Sequence, residues 1–87
     1  MNLRHRRTLR AIFAKPTQAG IRWSDIESLF VALGAIVREG EGSRVRVTLG
    51  ERRAVFHRPH PKPTTGRLTV RDVREFLTAA DIGPENE

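Results

Sequence analysis

Residues 24–57 read SDIESLFVALGAIVREGEGSRVRVTLGERRAVFH, and within them the apolar period changes from that of a helix to that of a strand. Ile26, Leu29, Phe30 and Leu33 recur at spacings of three, four and seven, which places them on one helical stripe. Ser24 and Glu27 have the spacing of a capping box, so a helix is expected to begin at Ser24. Gly34 is suited to a left-handed stop. From Ala35 to Glu39, and more cleanly from Arg44 to Leu49, apolar residues then alternate. Val45, Val47 and Leu49 share one strand face, and Arg44, Arg46 and Thr48 share the other. Gly40-Glu41-Gly42 and Gly50-Glu51 supply turns. Ala35–Glu39, Arg44–Leu49 and Arg53–His57 are therefore expected to form an antiparallel three-stranded meander with one apolar and one cationic face.

On either side of this run the periodicity is helical. Leu9, Ile12 and Phe13 predict a short amphipathic helix from about Arg4 to Ala14, with Arg4, Arg6, Arg7 and Arg10 turned away from its apolar side. Lys15-Pro16-Thr17 ends it, and a linker follows through Gly20. Beyond the strands, Pro59, Pro61 and Pro63 stiffen a loop from Arg58 to Arg67. Thr69 with Asp72 forms a second potential capping box, and Leu68 is placed to staple against Val73. Val70, Val73, Phe76, Leu77 and Ala80 line the inner face of that last helix, with Arg71, Arg74 and Glu75 outward. The expected fold is α+β, a three-stranded antiparallel sheet with helices on one face and an extra N-terminal helix. The expected layout is a basic helix and linker over residues 1–20, an α-β-β-β-α domain over 21–82, and a fraying polar tail over 83–87.

The 87 residues suit one modest core, and the lack of cysteine removes disulfides, thiolate metal sites and a cysteine nucleophile from consideration. The apolar run around Leu29 to Leu33 is far short of the roughly twenty residues that cross a bilayer, so a soluble, cytoplasmic protein is expected, with no membrane partner. The net charge of +6 is unevenly spread. Met1 to Ser24 carries Arg4, Arg6, Arg7, Arg10, Lys15 and Arg22 and no acid. Gly42 to Arg71 carries Arg44, Arg46, Arg52, Arg53, Arg58, Lys62, Arg67 and Arg71 against Glu51 alone. Concentrated arginine attracts polyanions and can hold a phosphate with two parallel hydrogen bonds, which makes nucleic acid the first partner to consider. An acid-free start is also a feature of transit peptides, but this one is poor in serine and is interrupted at Pro16.

Two features carry candidate chemistry. Arg44 and Arg46 stand about 7 Å apart along one strand face, a spacing that resembles successive phosphates; a plain solvated face has the same pattern. His57 and His60 sit at the next strand's end among prolines, where imidazole can move a proton near neutral pH. Together they suit RNA cleavage in which a base takes the 2′-hydroxyl proton, the oxygen attacks phosphorus, and arginine stabilises the charge that develops, with no metal or cofactor called for. That scheme requires a histidine ring on the same side of the sheet as Arg44 and Arg46. The aromatic residues sit at core spacings, so base stacking is not expected.

Leu33-Gly34, Gly42-Ser43, His60-Pro61 and the stretch from Leu68 to Ile82, with Val73, Phe76 and Leu77, resemble the HicA toxins over about residues 24–82. The resemblance implies an mRNA interferase, an endoribonuclease with a fold like that of double-stranded-RNA-binding domains, and an acidic HicB-like antitoxin as partner. The family carries its catalytic histidine after Gly-Ser, where this chain has Arg44, and arginine stays protonated near neutrality. Either His57 or His60 supplies the base, or the chain binds RNA without cutting it. Candidate RNA contacts are Ser43, Arg44, Arg46, Arg53, Arg58, Lys62 and Arg67. A competing class is a binding module that grips RNA or DNA through the Arg strand and the basic first helix. A third is an adaptor whose charge serves only a protein partner.

Overall fold

The computed structural model describes residues 1–84, so the last part of the expected polar tail, 85–87, lies outside the described residues. The chain forms α1 (Leu3–Phe13), α2 (Trp23–Ala32), β1 (Ile36–Glu39), β2 (Arg44–Leu49), β3 (Arg52–His57) and α3 (Arg67–Ala79). The strands make one antiparallel sheet in the order β1-β2-β3, with Val47 level with Val37 on one side and Ala54 on the other. This is the expected α+β meander. None of its helices is long and apolar enough to cross a membrane, among the described residues.

Two junctions show why the chain turns where it does. At the end of α2, Gly34 adopts φ 92°. The Ala35 amide then reaches the Phe30 carbonyl at 2.9 Å and the Gly34 amide reaches that of Val31 at 3.0 Å, which closes a Schellman motif. Between β2 and β3, Leu49 faces Arg52 across a two-residue loop whose first residue, Gly50, has φ 60°. A left-handed first position followed by an ordinary one is the II′ turn, whose twist suits a hairpin.

The inner face of the sheet carries Val45, Val47 and Phe56, and against it α2 brings Trp23, Ile26, Leu29 and Phe30 while α3 brings Val73, Phe76 and Leu77. The ring of Phe30 stacks on Phe56 with centroids 5.7 Å apart, and Phe76 meets both edge-on. Such offset and edge-to-face contacts match the charge distribution of aromatic rings and add to the burial of their area. Helix α1 packs on α2 and α3 and contributes the fully buried Leu9 and Ile12 to the same core. Its start is tied down by a capping box between Asn2 and His5, and the other ring nitrogen of His5 bonds the Ser28 hydroxyl of α2 at 2.9 Å. Because Nδ1 accepts from the Asn2 amide, Nε2 carries the proton that goes to Ser28.

Both capping boxes expected from the sequence are corrected by the structure. Helix α2 starts a residue early, with Arg22 at its cap and no side-chain bond, and α3 starts after Gly66, also without one. Both starts adjoin a tertiary pairing of residues 20–23 with 63–65. Gly20 donates to Thr65, Thr65 to Ile21, and Trp23 to Pro63, all through the backbone at 2.9–3.0 Å, and the buried Thr65 hydroxyl also donates to Ile21. This short ladder pairs the Trp23 amide, one of those that the start of α2 leaves without an intrahelical partner, and ties together the segments that lead into α2 and α3. Glu27 is drawn elsewhere, and Leu68 remains exposed rather than stapling Val73. Arg74 does not point outward either. It reaches back to the Ile12 carbonyl and the Thr17 hydroxyl, fastening the end of α1 to α3.

Truncating the central ring should therefore be severe: Phe30→Ala is expected to lower unfolding free energy by about 3–5 kcal/mol. Val31→Ala, on the exposed side of the same helix, should stay within about 0.5 kcal/mol of the parent. Urea titrations followed by circular dichroism compare the two.

Candidate nucleic-acid interface

All three helices lie on one side of the sheet, so the other face is open. Strand alternation sends Ile36 and Arg38 of β1, Arg44, Arg46 and Thr48 of β2, and Arg53, Val55 and His57 of β3 to that face, and none of these is a carboxylate. The pairing places Arg38 opposite Arg46, Arg44 opposite His57, Arg46 opposite Val55 and Thr48 opposite Arg53. The Arg58 amide donates to the Ser43 carbonyl at 2.7 Å, continuing the ladder one step past the strand ends. Arg44 and His57 thus form the neighbouring pair without ladder bonds, the type whose Cα atoms come closest, at about 4.5 Å. Arg38 and Arg46 fall at a bonded position, with Cα atoms about 5.5 Å apart.

Like charges directly across a sheet destabilise it. Arg38 against Arg46, with Arg44 and Arg53 on the same face, is a concentration of charge that folding alone does not favour. Concentrated positive charge of this kind attracts polyanions. Two shallow depressions meet at Arg46 and Val55. One, of about 590 Å³, is bordered by Ile36, Arg38, Thr48 and Arg53, and the other, of about 530 Å³, by Gly40, Glu41, Arg44 and His57. Guanidinium groups here can clamp a phosphate while the imidazole of His57 stands beside it, and the exposed Ile36 and Val55 give the middle of the face an apolar floor.

The fold thus gathers Arg44, Arg46, Arg53 and His57 on one surface. Ser43 is exposed just before β2. His60, Lys62 and Arg67 are also exposed, but they lie on the proline loop and at the start of α3 and border neither depression. Arg58 is not on this face. Its Nη1 and Nη2 fork onto both oxygens of Glu39 at 3.0 and 2.8 Å, and its Nε and Nη2 reach Glu27 Oε2 at 3.1 and 2.9 Å. The indole of Trp23 donates to the same Glu27 oxygen. This hub joins α2, β1 and the residue after β3, which anchors the chain beside His57. Hydrogen bonds and attraction from Arg58 hold the Glu39 carboxyl below its ordinary range, and the two carboxylates raise the Arg58 guanidinium above its own.

Arg38 and Ile36 escaped the reading of the sequence because β1 alternates only weakly, and Val55 because its strand was not divided into faces. The signal was available in the Gly40–Gly42 turn, whose length sets the register that puts Arg38 against Arg46.

Residues 23–82 match a protein-family model described as the HicA toxin of bacterial toxin–antitoxin systems, a span that runs from the first residue of α2 past the end of α3 and leaves α1 outside. Comparison with curated proteins and with solved structures gives no match.

The hub yields a pH prediction. A carboxyl whose pKa is depressed by folding adds stability that is fully present above the unfolded value, 4.5 for Glu39, and is lost as pH falls through the lower folded value. In thermal melts from neutral to acid pH, Glu39→Gln is expected to melt lower than the parent at pH 7 and to converge with it as both are acidified below that range. Arg58→Ala should lower the pH 7 melting temperature more than Arg38→Ala, which removes no ion pair among the described residues.

Proposed function

We propose that this chain, which belongs to the HicA toxin family of bacterial toxin–antitoxin systems, acts as the toxin by cleaving mRNA on the open face of its sheet. Toxin identity and the existence of an antitoxin partner come with the family. The chemistry is our reading, and one observation carries it: His57 stands directly across the strand pair from Arg44, on the face that also holds Arg46 and Arg38.

In this reading Arg44, Arg46 and Arg38 clamp the phosphodiester, and Arg53 extends the contact along β3. The neutral His57 imidazole takes the proton of the 2′-hydroxyl. The 2′-oxygen then attacks phosphorus, the bond to the 5′-oxygen breaks, and water protonates the departing oxygen, leaving a 2′,3′-cyclic phosphate on one fragment. Fixed guanidinium groups stabilise the negative charge that builds on the phosphoryl oxygens. His57 is favoured over His60 as the base because His60 borders neither depression. Ser43, Lys62 and Arg67 would then serve the flanks of a longer RNA. Arg58, neutralised by Glu27 and Glu39, holds the strand end in place rather than contacting RNA.

The partner follows from the same surface. An acidic antitoxin of the HicB kind would lay carboxylates over Arg38, Arg44, Arg46 and Arg53 and deny RNA the face, with opposite potentials speeding the encounter. The toxin would act in the cytoplasm, where mRNA is translated.

A second reading is favoured by Arg44 itself, which occupies the position after Gly42-Ser43 where the resemblance puts a histidine: the chain binds RNA and does not cut it. Incubation with end-labelled RNA in EDTA separates the two. Cleavage to 2′,3′-cyclic ends, reduced about 10²–10⁴-fold by His57→Ala and unchanged by His60→Ala, is the expected result. Retention of full cleavage by His57→Ala rules out the proposed base, and salt-sensitive binding of RNA that stays intact establishes the second reading.

A further inference from the structure

Helix α1 presents a second concentration of arginine that the sheet face does not absorb. Arg4, Arg6 and Arg7 are exposed on α1, with Arg7 opposite the buried Leu9 and Ile12 and with Arg4 and Arg6 on the two flanks of that outward arc. The helix has no acid in its first turn, and the chain's first carboxylate is Asp25. No ion pair involves Arg4, Arg6 or Arg7 among the described residues. Cations at a helix start oppose its dipole, and Arg4 and Arg7, three apart, repel each other. As on the sheet, the sequence keeps a charge pattern that disfavours the free element.

The location separates this cluster from the first. Helix α1 packs on α2 and α3, which themselves cover the inner face of the sheet, so its outward arc and the open sheet face lie on different sides of the molecule. The region matched by the family model begins at residue 23, after α1 has ended. A bilayer is a poor occupant. A helix that binds membranes does so by inserting its apolar side, and here that side is consumed by the core, with Leu9 and Ile12 at 0% exposure. What remains is a broad exposed arc of planar cations suited to a phosphodiester backbone.

We infer that Arg4, Arg6 and Arg7 of α1 form a second RNA-backbone contact, distinct from the open sheet face and working independently of it. An RNA long enough to pass around the domain touches both surfaces, and the helix remains available when the sheet face is covered. This does not rest on cleavage: the contact stands if the chain never cuts RNA, and its failure would leave the sheet-face chemistry untouched.

The test uses the full chain and a fluorescent 2′-O-methyl RNA of about 30 nucleotides, whose lack of a free 2′-hydroxyl prevents cleavage, titrated by anisotropy across about 50–300 mM KCl. Replacing Arg4, Arg6 and Arg7 together by Gln should weaken binding at low salt. It should also reduce the slope of log K against log salt by about 2, at roughly 0.7 per lost single-strand phosphate contact. The same reduction should appear when Arg44→Gln and Arg46→Gln are already present, because separate surfaces contribute additively. An unchanged slope and affinity overturns the inference, and so does a reduction that vanishes in the sheet-variant background. DNA of the same sequence, showing the same decrement, would mark the shared backbone chemistry as what is read. Tighter binding to phosphatidylserine vesicles than to RNA would assign the helix to a membrane surface and reject the proposal. Circular dichroism should show the triple variant melting at or above the parent temperature, since like-charge repulsion is removed; if it does not fold, Arg6→Glu alone serves, with a smaller loss of slope expected.

Discussion

Burial of Val45, Val47 and Phe56 against α2 and α3 is the constraint from which the rest of this molecule follows. A strand's side chains alternate, so once those residues are committed to the core, Arg44, Arg46, Val55 and His57 have only the opposite face. A slip of one residue would bury guanidinium groups without partners, which is far more costly than leaving them in water. The cationic face is thus a geometric consequence of the core. Its register is as secure as the stacking of Phe30 on Phe56.

The arginines fall into two groups with different work. Arg58 and Arg74 are spent on the protein itself. One is held by two carboxylates beside the end of β3, and the other clasps the last turn of α1. Among the described residues, Arg38, Arg44, Arg46 and Arg53 have no such ion-pair partners, and they stand opposite one another or opposite histidine, valine and threonine. Pairing like with like across a sheet reduces stability, and a chain that keeps such an arrangement is expected to recover the loss through what it binds. The family to which the chain belongs supplies the context, a toxin with an antitoxin. The surface supplies the chemistry by which RNA and an acidic partner would compete.

The order of elements, the strand bounds to within a residue and the division of β2 into an inner and an outer set were legible along the chain, and so was the outward placement of Arg44 and Arg46. Arg58 was not. In the sequence it is one more cation in a basic loop, beside His57 and before Pro59. Glu27 and Glu39, the groups that neutralise it, lie 31 and 19 residues away. The caps failed for a related reason. Ser24 with Glu27 and Thr69 with Asp72 satisfy a local rule, but both helices start sooner, beside the pairing of residues 20–23 with 63–65, so that the Glu27 and Asp72 amides fall inside the helices and need no cap.

Local sterics acted alone in what the amino-acid order determined: the period of two in β2 and β3, the period of 3.6 in the helices, the glycine turns, and the surplus of positive charge near both candidate surfaces. Contacts between distant residues decided the remainder. They set Arg38 against Arg46, closed the hub of Trp23, Glu27, Glu39 and Arg58, placed α1 on the helical side, and left His60 outside the two depressions that the arginines border. Periodicity is enforced within a few bonds of each residue and is written in the order of side chains. Partnership depends on which segments the core brings within hydrogen-bond reach, and the chain acquires that information only by folding.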